Sequence, residues 1–166
     1  MTFSGRIRGV LTLDAATFEE IEANRSINVQ AFALVVASSL AAGIGVGGFS
    51  DVAILAETLT ALFLWVTWAA VTYFIGTRLL PEPQTSTNMG ELLRVFGFSS
   101  APSLFAVFAV IPIIGWLVWP IVGLWVFAAT VIAVRQALDY RSTARAFAVV
   151  IIGWVMVLFI NWLLFR

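Results

Sequence analysis

The feature that most limits this chain is a series of apolar stretches, each long enough to cross a bilayer, separated by short polar breaks. The break after Val134 shows the pattern best. Leu124–Val134 is apolar apart from Thr130; the chain turns polar at Arg135, gathers Arg141 and Arg145, and returns to apolar sequence at Phe147. A helix leaving a bilayer, a short basic loop and a helix going back in give this order. About twenty apolar residues, rising 1.5 Å each, cover the roughly 30 Å hydrocarbon layer. Five such stretches are read, at about 28–48, 52–77, 91–111, 115–137 and 143–164. The expected fold class is all-α: a polytopic membrane helical bundle of five transmembrane helices (27–166) behind a short amphipathic N-terminal segment (1–26).

Composition removes the soluble alternative. The chain is 61% hydrophobic and 11% charged, with mean hydropathy +1.03, whereas soluble domains carry about 25% charged residues. Formal net charge is +0, so no overall field attracts nucleic acid, and no nucleic-acid partner is expected. There is no Cys and no His, which removes thiolate metal sites, disulfides and the usual general base. No phosphate-binding loop, nucleophile elbow or paired-aspartate metal spacing occurs. The reading therefore assigns no catalytic residues, no metal and no cofactor, and does not expect an enzyme.

Local signals place the ends of the elements. Thr17 and Glu20 have capping-box spacing, predicting a short helix near Phe18–Ala23 with Phe18 and Ile21 on its apolar side. Ser26 is the expected cap of the first span. Ser39, Gly43 and Gly47 repeat small residues one turn apart, a spacing that lets two helices approach closely, within the chain or between two copies. Ser50 or Asp51 starts the second span, in which Trp65 and Trp68 are packing residues. Pro102 breaks the third span, giving one kinked helix or an interfacial turn before a shorter helix. A re-entrant hairpin over 101–119 is the runner-up. Trp116 and Trp119 are placed at the membrane–water boundary.

The arginines then orient the map. Arg6, Arg8 and Arg25 precede span one; Arg78 and Arg94 flank the second loop; Arg135, Arg141 and Arg145 flank the fourth. With alternating spans these eight share one side, and Arg166 alone falls on the other. The positive-inside rule makes that side cytoplasmic, with the C-terminus outside, in the inner membrane if the source is bacterial.

Two groups of residues are candidates for function. Arg94, Arg135, Asp139, Arg141 and Arg145 lie at the basic ends of different spans, with Arg135 and Asp139 four apart on one helix face and able to pair. They form a candidate platform for anionic lipid or a protein partner, or simply anchor helix depth at the phosphates. Glu57 is the only acid well inside an apolar stretch, and with Thr60 it forms a candidate intramembrane polar site.

Several pieces, taken in order, carry a family resemblance: Leu11–Asp14, Thr17–Ile21, Tyr73–Arg78, Gly90–Gly97 with Pro102, Leu124-Trp125 and Ala133–Tyr140. The chain resembles the Yip1-domain family, in its short bacterial members. The resemblance implies a five-helix membrane bundle with a cytoplasmic N-terminus. Eukaryotic relatives bind Rab-type GTPases and act in vesicle traffic. Two functions are carried forward: a non-catalytic membrane scaffold or accessory subunit binding lipid or protein, as a homo-oligomer or in a larger complex, and a small transporter or channel using Glu57.

Overall fold

The computed structural model describes residues 1–164 and is all-helical in them. Two short helices come first, α1 (Phe3–Leu11) and α2 (Ala15–Ala23). A 3₁₀ turn, Arg25–Ile27, leads into α3 (Asn28–Gly47), which is followed by α4 (Asp51–Phe74). α5 (Met89–Ser99) continues as a 3₁₀ segment, Ala101–Val110; α6 (Gly115–Ala137) and α7 (Thr143–Leu164) complete the chain. Arg25–Gly47, Asp51–Leu79, Met89–Val110 and Gly115–Ala137 are long and apolar enough to cross a membrane, and α7 adds the shorter apolar run Thr143–Phe159. Arg166 lies outside the described residues.

Close contacts fix how the long helices run. Gly43 meets the backbone of Ile54, Gly47 meets Ala53, and the Ser39 and Thr58 hydroxyls are 3.3 Å apart. α4 therefore descends antiparallel to α3. Gly97 lies against Ala31, the Ser38 hydroxyl donates to Ser100 O at 2.9 Å, and Gly45 faces the Ala106 carbonyl. α5 and its 3₁₀ continuation therefore run parallel to α3. The re-entrant reading of 101–119 gives way to this: the segment goes on beside α3 to the level of Gly45 before the Ile111–Ile114 turn.

The change of winding in that rod has a local cause. Pro102 has no N–H to donate, and its ring excludes an α-helical turn before it. Side chains add bonds to the main chain there: Ser100 Oγ donates to Gly97 O at 2.7 Å, and Ser100 O accepts from both Ser38 Oγ at 2.9 Å and the Ser103 N–H at 2.8 Å.

The N-terminal segment holds more structure than expected. Helix α1 is capped by Thr2, and Val10, Phe18 and Ile21 are fully buried in the main core. Thr17 is not the cap of α2. Asp14 is, accepting from both the N–H and the hydroxyl of Thr17. Likewise Asn24 caps the turn before α3 and accepts from Ser26, reversing the expected role of Ser26.

One end of the bundle collects the polar groups. Tyr140, just past α6, donates its hydroxyl to Leu80 O at 2.7 Å with Gly76 O at 3.2 Å, where α4 ends in a π-helical turn, Ile75–Leu79. Arg145, at the start of α7, donates to Pro81 O. The opposite end holds the turns near Gly48 and Ile111–Ile114, with Trp116 and Trp119 exposed beside them. Gly48 has φ 63, a conformation glycine adopts without a Cβ penalty.

Candidate functional site

Two places in this fold hold polar groups that need explanation: the arginine-bearing end and a cavity within the bundle.

At the end, the five residues of the expected platform separate. Arg94 is buried, not displayed. Its guanidinium donates to Ile21 O at 3.2 Å, to Glu22 O, and to Asn28 Oδ1 at 3.2 Å. It therefore fastens the carbonyl end of α2 and the start of α3 to α5. Three or more charge-assisted bonds from one fork are what a buried guanidinium requires. The expected Arg135–Asp139 pair is not formed. Helix α6 ends at Ala137 and Asp139 turns to φ 54, so the one-turn spacing no longer holds, and Arg135 Nε faces Tyr140 O at 3.4 Å. Arg141 and Arg145 do come together, around Glu82: the Arg141 N–H donates to it at 3.0 Å and Arg145 pairs with it at 3.5 Å. These bonds, that from the Arg141 N–H first, hold the Glu82 carboxyl below the usual carboxylate range.

Sequence reasoning missed the other fixed arginine, Arg6. It is 4% exposed, pairs with both Glu20 oxygens at 2.7 Å and donates to Gln30 at 3.0 Å. The bond from Arg6 pulls the Glu20 carboxyl down to about 2. The signal was present: Thr2 in a capping position, then Ile7, Val10 and Leu11 at helical spacing around Arg6. Burial pushes the neighbouring Glu22 up to about 8, helped by Asp139, Glu91 and Glu19. Arg8, Arg25, Arg78 and Arg141 are exposed, and among the described residues none forms an ion pair.

The cavity lies between α3, α4, α5, α6 and α7 and holds about 530 Å³. Glu57 reaches it; Thr60 is exposed on another side of α4 and does not. The expected pair is thus split, and Ser38, Ser39, Ser99, Ser100, Ser103 and Thr130 supply the cavity's hydroxyls instead. Trp65, Trp68, Phe96 and Trp154 give it aromatic walls. Helix α4 leaves one side of this space open: its outer part packs on α3 through Ala53, Ile54 and Thr58, while its buried residues, Ala69, Val71 and Thr72, all lie toward its far end. A second hollow of about 180 Å³, beside Asn28 and Arg94, shares Trp65 with the first. The Trp65 indole N–H is fixed to Leu93 O at 2.9 Å between them. Ser39, Gly43 and Gly47 all face α4 within the chain.

Apolar helices of this length, gathered around one polar end, define an integral membrane protein of the helical-bundle class. Within that class the chain belongs to the Yip1 family: the Yip1 domain matches residues 8–164. No curated protein and no solved structure matches the chain.

Proposed function

We propose that this protein is a non-catalytic membrane scaffold or accessory subunit whose arginine-bearing end lies in the cytoplasm and docks anionic lipid headgroups or a protein partner. One observation carries the reading: Arg25, Arg78 and Arg141 are exposed, with no ion pair among the described residues, at the end where Arg94 and Arg145 are tied into the fold. Basic groups at a cytoplasmic membrane surface attract anionic lipid at about 1 kcal/mol each. The tied arginines keep the rim rigid, and the free ones are available to phosphates. The test is retention of phosphatidylglycerol through detergent washing, read by native mass spectrometry. Arg78→Ala with Arg141→Ala is expected to lose bound lipid that the wild type keeps; equal retention contradicts lipid docking.

A second reading, transport, is favoured by the two hollows on either side of Trp65. It requires flux in liposomes that Glu57→Gln reduces.

A further inference from the structure

We propose that the 530 Å³ cavity is a binding site for an amphiphile with an ammonium headgroup, held at Glu57 with its apolar body against the tryptophans. The volume falls within the roughly 300–1,000 Å³ of small-molecule sites.

The hydrogen-bond chemistry of the wall selects the headgroup. Ser38 donates to Ser100 O at 2.9 Å, Ser39 to Val36 O at 2.8 Å, and Ser99 to Val95 O at 2.8 Å. Ser100 donates to Gly97 O at 2.7 Å and Thr130 to Val126 O at 2.8 Å. A hydroxyl has a single proton and two lone pairs. With that proton committed to a main-chain carbonyl, each of these five offers a ligand only acceptors. Ser103 alone in the hydroxyl set has no side-chain partner among the described residues.

Glu57 adds a carboxyl group with no ion pair or hydrogen bond among the described residues, and the described arginines lie toward the far end. A charge inside a bilayer needs a partner. An anionic headgroup would leave acceptors facing acceptors, and a neutral hydroxyl would supply a donor without a counter-charge. An ammonium supplies the donors and the counter-charge together. Trp65, Trp68, Phe96 and Trp154 complete the fit, because aromatic faces attract quaternary and protonated amines. Glu57 sits about two turns, roughly 9 Å, from the start of α4, so the headgroup would rest in the half of the bundle away from the arginines.

The same chemistry fits an amine-bearing lipid headgroup and a free hydrophobic amine. The test titrates the full-length protein, in neutral maltoside micelles, with dodecylammonium, which carries three N–H donors, and with dodecanol, following tryptophan fluorescence. The ammonium is expected to bind at least tenfold more tightly than the alcohol, and Glu57→Gln is expected to remove that preference. Ala61→Trp, which fills the cavity and keeps Glu57, is expected to weaken both ligands; circular dichroism checks that each variant remains helical. Native mass spectrometry separates the sources. Phosphatidylethanolamine retained by the wild type and lost from Glu57→Gln identifies a lipid; ammonium binding with no retained lipid identifies a free amine. Equal binding of ammonium and alcohol, or an ammonium preference that survives Glu57→Gln, overturns the proposal.

Discussion

Arg94 shows how a residue type can be legible while its role is not. An arginine in the first turns of a membrane helix reads as a phosphate anchor, because sequence shows its depth and not its direction. The structure turns it inward, onto Ile21 O and Glu22 O. Arg94→Ala removes the partners of two carbonyls and leaves a gap, so we expect a loss of roughly 3–5 kcal/mol. Arg94→Lys keeps the charge without the planar fork and recovers only part of it. Thermal unfolding in detergent, followed by tryptophan fluorescence, measures both. Glu22 gives a prediction in pH. Its carboxyl is raised from 4.5 to about 8, chiefly by burial. Between those values the folded protein holds a proton that the unfolded chain has released. Stability therefore falls as pH rises through the window. Glu22→Gln is expected to match the wild type near pH 4.5 and to unfold at a higher temperature than it at pH 9.

At the scale of elements, apolar length and helix-breaking residues were readable: four segments are long and apolar enough to cross a membrane, and α7 adds a shorter apolar run. Caps were harder. Asp14, Thr17, Asn24 and Ser26 are all good capping residues crowded into one short segment, and propensity alone does not choose among them. Helix α1 was missed because its single buried arginine interrupts the apolar pattern. The glycines at the end of α3 carry more than the expected motif. Gly43 and Gly47 serve α4, whereas Gly45, on the opposite face, admits the Ala106 carbonyl of the 3₁₀ segment. Gly45→Ala is expected to cost about 1–3 kcal/mol by overpacking. Gly123→Ala is the matched control, since nothing lies within 4 Å of a methyl there. Its unfolding temperature is expected to equal or exceed that of the wild type.

For the whole molecule, the arrangement of charge was legible and the cavity was not. Counting arginines against alternating spans needs only the order of the chain. A space between five helices depends on how α4, packed on α3, sits against α5, α6 and α7, and no residue of α4 announces that arrangement. Glu57 was singled out from sequence as a carboxyl in apolar surroundings; its companions come from α3, α5, α6 and the 3₁₀ segment, far away along the chain. The central claim is that the arginine-bearing end and the end near Gly48 face opposite sides of the membrane, with the arginines in the cytoplasm. The chain has no cysteine, so single substitutions can report each end alone. Ser86→Cys and Ser50→Cys, treated with a membrane-impermeant maleimide in intact cells, test the claim directly. The account predicts labelling at position 50 in intact cells and at position 86 only after lysis; labelling of both from the same side would contradict it.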